Sequence, residues 1–143
     1  LVVFVLLAVM VSWPWHHPAW TRADLDLAAQ RHAHDQATAD FCTALTKIRD
    51  ASHDGIVAVR EHDADALSDA VSTVEDGFAD ARSAAGDLPH IEDVSAMARR
   101  LDSVRAAAAK PSSSSTNPAT EALVKLSLTA KLTGAHAGCP TFN

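Results

Sequence analysis

Apolar residues fall along this chain in two regimes. From Leu1 to Trp13 they run together without a charge. Beyond residue 21 they recur every three or four positions, the interval that lines one face of an α-helix.

The periodic part divides into four stripes. Phe41, Leu45, Ile48, Ser52, Ile56 and Val59 predict a first helical face. Its helix starts at Thr21-Arg-Ala-Asp24, where threonine is a suitable N-cap and an acid sits in the first turn. It stops at His62-Asp-Ala-Asp65, which also supplies an acidic cap for the next helix. Leu67, Val71, Val74, Phe78, Ala81 and Ala85 form the second stripe, ending at Gly86-Asp-Leu-Pro89. Glycine just past a helix and proline at the start of the next is the usual asymmetry. The third stripe, Ile91, Val94, Met97, Leu101, Val104 and Ala108, stops before Pro111-Ser-Ser-Ser-Ser-Thr-Asn-Pro118, which reads as a flexible polar loop. Asn117 followed by Pro118 then predicts a fourth helix to about Ala137, with Gly138 beyond its end.

That fourth segment reads two ways. Val124, Leu126, Leu128, Ala130 and Leu132 alternate with polar residues, which is also the pattern of a half-buried strand. A helix is favoured, because Leu, Ala and Lys dominate over β-branched residues and a lone strand would have nothing to pair with.

Lengths then set the arrangement. The last three helices are each about 20 residues, or roughly 30 Å, whereas the first is nearly twice as long. Short turns make neighbours antiparallel. The predicted fold is therefore all-α: an N-terminal transmembrane helix over residues 1–20, a helical stalk over 21–41, and an up-down-up-down four-helix bundle over 42–143 containing the Ser-rich loop 111–118. Counting back about 20 residues from the first turn reaches Cys42, and the end of the fourth helix, at Cys139, returns to the same level. These are the only two cysteines. In the chain-entropy view, closing so long a loop contributes about 4–5 kcal/mol, a useful staple for alanine-rich seams that bury little area.

The uncharged run covers roughly 20 Å as a helix, short of a bilayer core of about 30 Å, and it is expected to continue upstream of Leu1. Trp13, Trp15 and Trp20 follow it, as in the aromatic belt at a membrane–water interface. A cleaved signal peptide would need a small-residue cleavage site, which this bulky segment lacks, and a buried core helix would not carry this tryptophan and proline cluster. The expectation is a single-pass anchor in the cell membrane, with the C-terminal domain in an oxidising, extracytoplasmic (periplasmic) space.

Charge narrows the partners. A net charge of −6 with scattered basic residues argues against nucleic acid. The carboxylates Asp63, Asp65, Asp69, Glu75, Asp76 and Asp80 lie mostly off the apolar stripes and read as a solvated face. No glycine-rich phosphate loop or nucleophile constellation is present, so no enzyme and no cofactor is expected. Of the eight histidines, His16 and His17 fall at the interface, while His32 and His34 are spaced to point to different sides of a helix. One alternative groups Cys42, His90, His136 and Cys139 as a zinc site, which requires both thiols to be reduced. The stalk's strong apolar residues are Leu25 and Leu27, and they are the candidate partner contact. The functional expectation is a non-catalytic accessory subunit that meets integral membrane protein subunits and the lipid bilayer. A metal-binding or small-ligand-binding module is the alternative.

Cys42, Arg60-Glu-His-Asp63, Ala84-Ala-Gly-Asp-Leu-Pro89 and Cys139 together resemble the pattern of small exported helical proteins and lipoproteins of actinobacteria. The resemblance covers the chain from Phe41 onward and implies an exported helical domain with an early and a late cysteine. It departs at the start, where no cysteine follows the apolar run to receive a lipid.

Overall fold

The computed structural model describes residues 21–88, 91–110 and 117–142. Among these the chain is helical and contains no strand. The helices are α1 (Arg22–Glu61), α2 (Ala64–Ala84), α3 (Ile91–Ala108) and α4 (Pro118–His136), with 3-10 turns at Ala85–Asp87 and Pro140–Phe142. The segment whose alternation also suited a strand lies inside α4. His32–Asn143 forms one compact unit, and the residues before it belong to another. No helix among the described residues is long and apolar enough to cross a membrane. The anchor expected at 1–20, with Trp13, Trp15 and Trp20, lies outside them.

Local chemistry sets the helix ends. Thr21 and Asp24 cap α1 reciprocally: the Asp24 amide donates to the Thr21 hydroxyl oxygen at 3.2 Å, and the Thr21 amide donates to the Asp24 carboxylate at 3.0 Å. At its other end α1 closes in a Schellman turn. The Asp63 amide donates to Ala58 O at 3.0 Å and the His62 amide to Val59 O at 3.4 Å, with His62 at φ 58°. A histidine thus occupies the left-handed position that usually falls to glycine. Asp63 caps α2 by accepting from the Ala66 amide at 2.9 Å, and Asn117 caps α4 by accepting from the Ala119 amide at 2.9 Å. Pro118 sits in the first turn of α4, where its missing N–H costs nothing.

Within the compact unit α1 lies antiparallel to both α2 and α4. Lys47 pairs with Asp80 while Gly55, further along α1, meets Ala70, earlier on α2. Cys42 is bonded to Cys139 while Gly55 also meets Leu123. Glu75 of α2 and Arg105 of α3 form an ion pair across their shared seam, and α3 packs along α4. The core gathers Phe41, Leu45 and Ile48 from α1, Val74 from α2, Met97, Leu101 and Val104 from α3, and Leu123 and Leu126 from α4. Ser52 is also fully buried, and its hydroxyl donates to Ile48 O at 2.7 Å, so its polarity is satisfied within the helix.

Small residues take the closest approaches. Ala44, Ala51, Gly55 and Ala58 on α1, and Ala70 and Gly77 on α2, are buried, whereas Leu67, Val71 and Phe78 are half-buried. A Cβ at Gly77 would lie 2.9 Å from Ile48 Cγ1, and one at Gly55 would lie 3.0 Å from Leu123 Cδ1. The predicted second stripe thus divides: Val74, Ala81 and Ala85 are buried as expected, whereas Leu67, Val71 and Phe78 flank the seam and Ala70 and Gly77, which let two backbones come close, take places on it.

Candidate functional site

Two surface features follow from this packing: the disulfide end of the bundle and the outer face of α4.

At the disulfide end, the chain leaves α4 through a second Schellman turn. The Cys139 amide donates to Gly134 O at 2.9 Å and the Gly138 amide to Ala135 O at 3.1 Å, with Gly138 at φ 75°. This reversal delivers Cys139 to Cys42, giving an S–S bond of 2.04 Å with the α-carbons 5.5 Å apart. The following 3-10 turn folds Phe142 back into the core, where its ring lies against Gly134; a Cβ there would overlap the ring. Arg49 places its guanidinium 5.2 Å from the Phe142 centroid, a cation–π contact from α1 to the chain's last turn. Thr46 and Thr141 add a hydroxyl–hydroxyl bond of 3.3 Å. These contacts together close the end of the bundle.

The metal alternative loses its two sulfur donors here. Both sulfurs are committed to the disulfide, so neither Cys42 nor Cys139 offers a thiolate. His136 is exposed in the last turn of α4, and His90 lies outside the described residues. Among the described residues no group of three or more His, Cys, Asp or Glu could hold a metal ion. His32 and His34 are exposed on α1.

Of the six carboxylates expected on a solvated face, three act within the fold. Asp63 caps α2, Asp80 pairs with Lys47, and Glu75 pairs with Arg105, while Asp65, Asp69 and Asp76 are exposed. The Glu75 and Asp102 carboxylates hold the Arg105 guanidinium above its ordinary pKa, and Lys125 holds the Glu121 carboxyl below its own. An open cleft of about 510 Å3 lies beside the α1–α2 turn, with Val59, Leu67 and Val71 on its floor and His62, Arg105 and Lys110 around it.

Leu25 and Leu27, the partner contact expected from sequence, are 56% and 46% exposed. Sequence reasoning missed a longer apolar surface. Val124, Leu128 and Leu132 are 41%, 55% and 62% exposed and follow one another at four-residue steps along α4. Their signal was present as the strand-like alternation. On a helix, that alternation separates into a buried ridge (Leu126 and Ala130) and an exposed one (Val124, Leu128 and Leu132). A helix with one buried side has no packing need for the second ridge.

Fold and surface together define a helical bundle closed by one disulfide and bearing an apolar ridge on its fourth helix. Compared with known protein families, characterised proteins and solved structures, the chain matches none.

Proposed function

We propose that this protein is a non-catalytic accessory subunit of a larger membrane protein complex. In this reading residues 1–20 form a single-pass anchor, residues 21–41 link it to an up-down-up-down bundle, and the bundle stands on the extracytoplasmic side. The observation that carries it is the Cys42–Cys139 disulfide, which belongs to an oxidising compartment, in a chain that opens with an uncharged apolar run and three tryptophans. Apolar side chains left exposed on a well-capped bundle supply the reason for a partner.

The test is affinity purification of the full chain from native membranes in mild detergent. Integral membrane subunits are expected to co-purify in fixed ratio, and to be lost when residues 1–40 are replaced by an unrelated anchor. A chain recovered alone under conditions that preserve other membrane complexes would refute the reading. A second reading, an extracytoplasmic small-ligand module, draws support from the cleft at the α1–α2 turn, whose lining sets apolar Val59, Leu67 and Val71 beside Lys110, Asp63 and the ion-paired Arg105. A saturable shift in Tm with a fatty-acid-like carboxylate, abolished by Leu67→Glu, would favour it.

A further inference from the structure

Resting on the accessory-subunit reading, we infer that the outer face of α4 is a docking surface for a partner helix whose apolar stripe is bordered by carboxylates. Val124, Leu128 and Leu132 form an i, i+4, i+8 ridge, the row of side chains that seats in the groove of a second helix. The ridge is about 12 Å long, a little over two turns, which matches one crossing helix. Its exposed apolar area is on the order of 300 Å2, a size at which patches on soluble domains are often functional.

Charge selects the occupant. α4 carries Lys125 and Lys131 against the single acid Glu121, whereas α2 carries five carboxylates and one arginine. The apolar ridge therefore lies on a helix that is positive within a chain of net charge −6. Lys125 pairs with Glu121, but Lys131 has no carboxylate partner among the described residues. A facing helix with Asp or Glu beside its apolar stripe would cover Leu128 and Leu132 and neutralise Lys131.

Other occupants fit less well. In a two-fold antiparallel pairing of α4 with a second copy centred on Leu128, Lys125 would face Lys131, which is repulsive. An anionic lipid surface is held by clusters of about four to eight cations, and this face has two, one of them already paired.

The experiment places a photocrosslinker in the full chain (Leu128→p-benzoylphenylalanine), with Asp69→p-benzoylphenylalanine on exposed α2 as control. Crosslinking is performed in native membranes, and the adducts are sequenced by mass spectrometry. The expected result is an adduct at position 128, absent at 69, on a protein segment with apolar residues at three- and four-residue spacing and flanking Asp or Glu. Lys131→Glu should lower its yield at least tenfold while leaving the thermal melt in place. An adduct to a second copy, an adduct to lipid, or equal yields at 128 and 69 would each overturn the inference. Co-purification of membrane subunits separates the two claims. If it survives Leu128→Glu with Leu132→Glu yet is lost on replacing residues 1–40, this docking surface is wrong while the accessory-subunit reading stands.

Discussion

Leu126 and Leu128 are two residues apart on α4 and face opposite ways: Leu126 is 1% exposed and Leu128 is 55% exposed. Two successive steps around a helix turn a side chain through about 200°, so apolar residues at alternate positions form two ridges, one inward and one outward. The same spacing on a strand would put both leucines on a single face.

This relationship makes a paired test. Leu126→Ala should cost about 2–5 kcal/mol in chemical denaturation, because it opens a cavity in the core. Leu128→Ala should stay within about 0.5 kcal/mol. Equal losses at both positions would mean that α4 does not sit as described.

Removing the disulfide should cost a large share of the bundle's stability. Cys42→Ser with Cys139→Ser frees a loop whose ends are 97 residues apart in sequence. The expected cost is about 4–5 kcal/mol in the chain-entropy view, measured as a drop in denaturation midpoint and reproduced in the native chain by a reductant.

His62→Gly should stabilise. His62 holds φ 58° to close the Schellman turn, a conformation in which a Cβ is strained and glycine is not. A gain of about 0.5–1 kcal/mol in unfolding free energy is expected, seen as a rise in Tm. A loss would show that the imidazole makes a contribution larger than the backbone strain.

Gly134→Ala should destabilise by about 1–3 kcal/mol, since the new methyl must displace the Phe142 ring. Because Phe142 also receives Arg49, its displacement should appear in NMR as loss of ring-current shifts on the Arg49 side chain as well as in the melt.

The Asp24 carboxyl is held below its ordinary pKa, first by the Thr21 hydroxyl and then by the Thr21 amide. A lowered folded-state pKa means that the cap's stabilisation is complete above about 3.9, the usual unfolded value, and is lost as pH falls through the folded value. A carboxyl chemical-shift titration should find the Asp24 midpoint below those of uncapped aspartates, and Thr21→Val should move it back up.

Much of the bundle was legible because it is written in local chemistry. Thr21, Asp63 and Asn117 announce helix starts by the oxygens they offer to free amides, and Gly138 marks an end that only a left-handed residue closes easily. The proximity of Cys42 and Cys139 followed from helix lengths alone, since every residue of an α-helix advances the chain by the same amount. His62 was legible as a stop, but not as a strained one. A histidine carries no mark of φ in its identity, and the strain appears only once the turn is built.

Which residues make the closest contacts was decided by tertiary structure. Val74 and Ala81 of the predicted stripe are buried on α2, yet Ala70 and Gly77, which the stripe did not contain, join them there, and Leu67, Val71 and Phe78 stay half-buried. Hydrophobicity measures what a side chain gains by leaving water, whereas the contact line between two helices depends on how near their backbones can come. The two ridges of α4 pose the same problem in another form. Leu126 and Leu128 are chemically identical, and only the positions of α1 and α3 determine which of them is covered.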